Sequence, residues 1–248
     1  MAAGVDDAQL NGPAGPPLLP LVLLHGAGAT GQIWQHQLLA FPRAAAPDLP
    51  GHPGGSALTS IAEMAAWVRR LLGERGQGPV VLGGHSLGSA VVLQTALEAP
   101  ERLRGLILIG AGARLRVRRE FFDLIRSDFG AAVDELLRWW FAPEASPRAV
   151  ARAREALYAL PPAVLDADFR AADGFDLMDR VREIALPVLI VCGEADRMTP
   201  VKYAEYLRDQ IAGSHLEVIP RAGHMVMLEQ PRAVNEALTG FLRRFENP

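Results

Sequence analysis

An α/β fold with a mostly parallel sheet flanked by helices is predicted by two observations. Short apolar runs at residues 18–24, 79–83, 106–109, 188–191 and 216–219 alternate with segments of helical periodicity. The runs at 106–109 and 188–191 are continuously apolar, as expected of strands covered on both faces. A third observation refines the class. Residues 114–184 are helical in pattern, with no strand, between two strands of the sheet. They predict a helical cap inserted into an otherwise regular core, with the core formed by 1–113 and 185–248.

The elements follow in chain order. Residues 1–17 are rich in Gly and Pro and predict a mobile start. The first strand, 18–24, stops at His25-Gly26. A weaker strand, 44–48, ends at Pro50-Gly51. Ser60-Ile61-Ala62-Glu63 reads as a capping box opening a helix. Ile61, Met64, Ala65, Val68, Leu71 and Leu72 fall on one face of it. The segment 86–98 is apolar almost all round, so its helix packs centrally. Thr199-Pro200 reads as an N-cap and first helical position, with Val201, Ala204, Leu207 and Ile211 inward. Pro231 opens a last helix with Val234, Leu238, Phe241, Leu242 and Phe245 as its buried stripe.

Composition excludes several classes. The chain has 248 residues, 50% of them hydrophobic, and a formal net charge of −3. That length supports a sizeable core, and the absence of a basic excess argues against nucleic acid as a partner. No apolar run approaches the roughly 18 residues of a membrane helix, so no membrane insertion is expected. Residues 1–10 carry Asp6 and Asp7 and lack the basic and apolar parts of a secretory signal. A single cysteine, Cys192, rules out an internal disulfide or a Cys-based zinc cluster. These features predict a cytoplasmic protein with no metal and no cofactor.

Gly84-His85-Ser86-Leu87-Gly88 follows a strand and opens a helix. Small neighbours permit the sharp turn that projects a serine Oγ at the end of the sheet, beside a helix N-terminus. The bland alternative is a serine N-cap. A serine hydroxyl needs a base, and the base an orienting acid. His224 and Asp196 each lie in a loop just after a strand, so both reach the same end of the sheet. Glu194 competes for the acid role. His85, His25 and His52 read as packing or hydrogen-bonding residues. The developing oxyanion needs donors. The Leu87 N–H supplies one, and the loop His25-Gly26-Ala27-Gly28 the other, with Ala27 ahead of Gly28.

That loop also carries a rival reading. Gly26-Ala27-Gly28-Ala29-Thr30-Gly31 matches G-x-G-x-x-G, and Asp48 lies about 20 residues on, as in a dinucleotide site. Against an NAD-dependent oxidoreductase stands the missing Tyr-x-x-x-Lys pair: Met198 sits four residues before Lys202. Gly28, Trp139, Trp140 and Met225 are candidates for substrate contact. Arg114, Arg116, Arg118 and Arg119 form a basic cluster whose bland reading is a solvated face.

Taken together, these pieces resemble the α/β-hydrolase superfamily, in the style of serine carboxylesterases with a helical cap. The matching residues are His25-Gly26-Ala27-Gly28, Asp48-Leu49-Pro50-Gly51-His52, Gly84-His85-Ser86-Leu87-Gly88, Gly193-Glu194-Ala195-Asp196 with Thr199-Pro200, and Gly223-His224 with Glu229 and Pro231. The resemblance implies the α/β-hydrolase fold, a triad of Ser86, Asp196 and His224, and an oxyanion hole from the N–H groups of Ala27 and Leu87. It implies hydrolysis of a small-molecule carboxylic ester. A C–C bond hydrolase, a lactonase, a perhydrolase or a triad-retaining receptor would use the same residues. Two departures stand out. The N-terminal antiparallel hairpin is absent or shortened, and Ser89 stands where many relatives have a second glycine.

Overall fold

The computed structural model describes residues 21–74 and 78–245. The expectations for residues 1–17, for 18–20 of the first strand and for the shortened hairpin lie outside the described residues. Five strands form one parallel sheet in the order β1 (Leu21–Leu24), β2 (Val80–His85), β3 (Leu103–Ile109), β4 (Val188–Gly193) and β5 (Ser214–Ile219). The pairing of β3 with β4 runs from Leu106↔Val188 to Ile109↔Val191. Those residues are at most 1% exposed, which is the two-sided burial their uninterrupted apolar runs require. Each such side chain stabilises the fold by about 1.5–3 kcal/mol relative to exposure.

Residues 44–48 do not form a full strand. Ala45 makes a single parallel bridge to Val22, donating to the Leu21 carbonyl and accepting from the Leu23 N–H. The short α1 (Gln35–Ala40) precedes this bridge. In α2 (Ile61–Glu74) the six inward residues are buried as their spacing requires. Its capping box is displaced by one residue. Ser60 Oγ accepts from the Glu63 N–H, but the Glu63 carboxylate reaches back to the Thr59 N–H and hydroxyl. Helix α3 (Leu87–Glu98) is buried on nearly every side, between the sheet and neighbouring helices.

The stretch between β3 and β4 is helical. It contains α4 (Arg119–Ser127), α5 (Phe129–Trp140), α6 (Pro147–Ala159) and α7 (Pro162–Asp173). Its two ends meet in an isolated bridge between Arg114 and Asp176. Inside, Phe121 and Phe169 join α4 to α7 edge to face at 4.9 Å. The stretch is tied to the loops that follow the strands: the Met225 N–H donates to the Trp140 carbonyl, and the Ala142 N–H to Glu229.

After β4 comes α8 (Val201–Gln210), and after β5 come the short α9 (Val226–Glu229) and α10 (Pro231–Leu242). Thr199 is not the cap of α8; its hydroxyl is engaged elsewhere, and Pro200 holds the cap position without a side-chain bond. In α10, Val234, Leu238 and Phe241 are buried, while Leu242 and the following Phe245 are only half-buried. Among the described residues no helix is long and apolar enough to cross a membrane.

Candidate active site

Because all five strands run the same way, the loops after β1, β2, β4 and β5 open at one edge of the sheet. Ser86 sits where β2 turns into α3, at φ +52 and ψ −117. Its side chain makes no capping bond, which removes the N-cap reading. Holding a non-glycine residue in that region costs about 1–3 kcal/mol, and the surroundings must enforce it. They do so through backbone contact. A β-carbon on Gly84 would lie 2.3 Å from the Gly88 carbonyl oxygen, and one on Gly88 would lie 2.5 Å from that of His25. The Ser86 N–H donates to the Ile109 carbonyl at 2.9 Å. Ser89 adds to the turn as a hydroxyl: its Oγ donates to the Gly84 carbonyl at 2.6 Å and accepts from the Ile109 N–H at 3.2 Å.

Asp196 and His224 meet. His224 Nδ1 donates to Asp196 Oδ2 at 2.8 Å, and both side chains are at most 1% exposed. Asp196 Oδ1 accepts from the N–H groups of Met198 and Thr199 at 2.8 Å each, and Thr199 Oγ1 donates to Oδ2 at 2.7 Å. Burial alone would raise the Asp196 pKa. The His224 charge, the His224 hydrogen bond and the donors of Thr199 outweigh it and hold the carboxyl below its ordinary value. Thr199 is thus a member of the site, disguised in the sequence as a helix cap. Glu194 does not pair with His224; it is exposed, and its carboxylate accepts from the Arg221 N–H.

With Nδ1 committed to Asp196, His224 Nε2 is buried and has no partner. No hydrogen bond joins the Ser86 hydroxyl to it among the described residues. A β-carbon on Gly110, the residue after the carbonyl that Ser86 binds, would lie 3.0 Å from the imidazole Cε1. The His85 ring lies 4.6 Å from the His224 ring, and His85 Nε2 donates to the His224 carbonyl at 3.0 Å. Catalytic contacts often tighten only when substrate binds. The His224 loop is braced by Glu229, whose carboxylate accepts from the N–H groups of Gly223 and Ala142 at 3.0 and 2.9 Å.

No hydrogen bond among the described residues engages the N–H of Ala27 or of Leu87. The Gly28 N–H is taken: it donates to Asp168 Oδ2 at 2.8 Å. His52 Nε2 shares the same oxygen at 2.9 Å, and its Nδ1 donates to the Leu49 carbonyl at 3.2 Å. Burial disfavours the His52 cation, but the hydrogen bond and charge of Asp168 prevail, and its pKa is raised. Beside it, His25 accepts the Leu49 N–H on Nε2 and donates from Nδ1 to the Gly26 carbonyl, the neutral form. The Gly-rich loop is therefore held by other segments of the chain. Asp48, the ribose acid of the dinucleotide reading, accepts the Gly31 N–H at 2.6 Å.

A cleft of about 940 Å³ opens between this loop and α6, with Gly28, Trp140 and Met225 among its walls. Trp139, also expected to contact substrate, faces outward, with the Arg118 guanidinium 5.5 Å above its ring. The basic cluster at 114–119 is largely a solvated face: Arg114 and Arg116 pair with Asp176, and Arg118 with Glu135. No group of three or more potential metal ligands occurs among the described residues.

Two histidines are buried as neutral rings. Burial, then the neighbouring His52, lowers His25 to about 4, and burial with His224 lowers His85 well below 6.5. The unfolded chain then binds more protons than the native one between these values and about 6.5. Their contribution is complete above pH 6.5 and is lost as pH falls, on the order of 3 kcal/mol from His25 alone. His52 acts oppositely, its contribution present below about 6.5 and lost as pH rises through its raised value. The expected result is a urea midpoint that drops steadily from pH 7 to pH 4.5. A flat profile would contradict neutral His25 and His85.

A strand-turn-helix serine and a buried Asp-His pair thus lie at one rim of a parallel sheet, and comparison with known proteins identifies the family of the chain. Residues 21–237 match the model of the alpha/beta hydrolase family, so the chain belongs to that family. It is 30% identical to a pimeloyl-[acyl-carrier protein] methyl ester esterase of Pectobacterium carotovorum, over 89% of this chain and 93% of that protein. Among solved structures it resembles a thermophilic esterase, with 35% identity and a TM-score of 0.81, covering 90% of this chain and 89% of the other. It also resembles Est816, an N-acyl homoserine lactone degrading enzyme, with 28% identity and a TM-score of 0.80, covering 90% and 93%.

Proposed function

We propose that the protein is a serine hydrolase of carboxylic esters, acting through an acyl-enzyme. The observation that carries this is the buried His224, with Nδ1 tied to Asp196 and Nε2 left as a free acceptor, at the same rim of the sheet as the Ser86 turn. Nε2 takes the Ser86 hydroxyl proton as Oγ bonds to the ester carbonyl carbon. The oxyanion that forms is met by the N–H groups of Ala27 and Leu87. The imidazolium then protonates the leaving alkoxide, and the C–O bond breaks. Water, deprotonated by the same Nε2, attacks the acyl-enzyme and releases the acid and Ser86. Asp196 stays ionised and supports the imidazolium.

The 114–184 insertion serves as a cap that selects the substrate, and the substrate is a small molecule with a modest hydrophobic acyl or aryl group. Trp140 and Met225 support an apolar group at their end of the cleft, whose wall also carries Gln32, Arg148, Arg152 and Glu155 and does not include Ser86 or His224. The relatives named as ester and ester-linked hydrolases support the bond type. A lactone is a cyclic ester, and the likeness to a lactone-degrading enzyme favours lactones as a second substrate arm. The protein works in the cytoplasm, a reading supported by its single buried cysteine.

The test is a panel of p-nitrophenyl esters of increasing acyl length, with N-acyl homoserine lactones alongside and a fluorophosphonate probe of serine reactivity. Turnover with probe labelling at Ser86 supports the proposal; neither turnover nor labelling removes it. Within the panel, Trp140→Ala is expected to shift the preferred acyl chain and to change kcat/KM for longer chains by about 10-fold or more, a few lost methylene contacts' worth. Trp139→Ala should leave the profile unchanged within about twofold, because its ring stands outside the cleft. Equal effects of the two would place the substrate elsewhere.

A further inference from the structure

The loop after β1 contains a device for which ester hydrolysis provides a use. Gly28 has φ +66, and the Ala29 N–H donates to the Gly26 carbonyl at 3.3 Å. A turn with positive φ at its third residue is of type II, and it differs from type I by a flip of the central peptide. Here that peptide joins Ala27 to Gly28. Its N–H is the group gripped by Asp168 at 2.8 Å. In the flipped turn the Ala27 carbonyl would face the carboxylate instead, and like partial charges would meet. The Ala27 N–H lies in the preceding peptide, so the acid does not turn that donor itself but anchors the turn that carries it.

Asp168 does not belong to that loop. It comes from α7, in the insertion, 140 residues along the chain from Gly28. It is fully buried, and a buried carboxylate is costly unless paired. His52 supplies the pairing from a third segment, itself held by the Leu49 carbonyl. The groups facing His52 are Asp168, Asp48 and the neutral His25. The other carboxylate oxygen, Asp168 Oδ1, is buried with no partner. A residue kept there for packing alone would be better apolar, since the acid leaves half its hydrogen-bonding capacity unmet. The grip on Gly28 accounts for the acid.

We propose that Asp168, braced by His52, is a positioning residue: by holding the Gly28 N–H it anchors the turn that carries the Ala27 N–H, and so makes a competent oxyanion hole depend on a seated helical insertion. This rests on the ester-hydrolase reading for its consequence, though the lock itself is a matter of backbone geometry. The N–H donor arrangement is then assembled by two parts of the chain, and loosening of α7 disarms the hole without touching Ser86, Asp196 or His224.

The experiment compares wild type with Asp168→Leu, Asp168→Asn and His52→Gln. Each is assayed for kcat and KM on p-nitrophenyl butyrate, for folding by circular dichroism and melting, and for the Gly28 amide in a ¹H–¹⁵N spectrum. Loss of a whole oxyanion donor costs about 100- to 1,000-fold in kcat. Asp168→Leu, which loosens one, is expected to lower kcat by about 10- to 100-fold with KM within about threefold. Its Gly28 amide should move upfield and exchange faster. Asp168→Asn keeps an oxygen acceptor and should recover part of both signals; His52→Gln should fall between. A folded Asp168→Leu with wild-type kcat overturns the proposal, as does a kcat loss with an unmoved Gly28 amide. If Asp168→Leu does not fold, Asp168→Asn and His52→Gln decide in the same way, and unchanged kcat and amide in both overturn it. Wild-type protein inactive on every ester is a failure of the hydrolase reading instead, and it shows in the first column of the same data.

Discussion

Replacing Ser86 by alanine is expected to lower kcat on p-nitrophenyl acetate by about 10⁴-fold or more, to leave KM nearly unchanged and to abolish fluorophosphonate labelling. The size follows from the role: without Oγ there is no acyl-enzyme, and only the oxyanion donors and substrate positioning remain to help water attack. The fold should survive. The strain at φ +52 is set by the backbone contacts of Gly84 and Gly88, and alanine meets that strain on the same terms as serine, since both carry a β-carbon. The serine side chain makes no capping bond that alanine would forfeit. A melting temperature within a few degrees of wild type, with turnover gone, is the expected pair of results. Undiminished turnover would show that another group is the nucleophile.

The same elbow shows what a sequence can reveal. Gly84, Ser86 and Gly88 lie within one five-residue stretch, so their geometry is local and their spacing carries it. Asp196 and His224 were legible for a different reason: each follows an apolar strand, and a parallel sheet brings all such loops to one edge. Trp139 and Trp140 were also separable in principle. The buried residues of α5, Ala132, Val133, Leu136 and Leu137, repeat at helical spacing and reach Trp140, which leaves Trp139 turned outward. The periodicity held the answer, and reading the aromatic pair as a unit concealed it. Thr199 was hidden by a plausible local role, because Thr-Pro before a helix resembles a cap whatever its hydroxyl does. Residues 44–48 have strand composition, but a single bridge is all they form, and no local signal fixes how many bonds an edge segment makes. The Asp168-His52-Gly28 contact was out of reach. Its members lie on three segments with no common period, and an acid on a helix reads as solvated until its burial is seen.

The Asp196 carboxylate governs which nitrogen of His224 carries the proton, and Asp196→Asn isolates that control. In the wild type, Oδ2 accepts from Nδ1, so Nε2 keeps its lone pair free. Oδ1 is saturated by two backbone N–H groups, from Met198 and Thr199. An asparagine must keep its carbonyl oxygen at that Oδ1 position, because an NH₂ group there would face two donors. Its amide nitrogen then takes the Oδ2 position and donates to Nδ1. The imidazole must switch tautomer, placing its proton on Nε2, where it blocks abstraction from the Ser86 hydroxyl. Thr199 loses its acceptor as well, since its hydroxyl donates to Oδ2. We expect kcat to fall by about 10³- to 10⁴-fold near neutral pH, with KM within a few-fold of wild type. Activity should recover in part at high pH, where the base must come from hydroxide or a minor tautomer. Asp196→Ala gives a useful contrast: it removes the wrong donor along with the right acceptor, so a water can re-orient the ring and the loss should be smaller than in the asparagine variant. Equal activity of Asp196→Asn and wild type at neutral pH would mean that this carboxylate does not set the tautomer of His224, and that the Asp196-His224 pair is a structural contact alone.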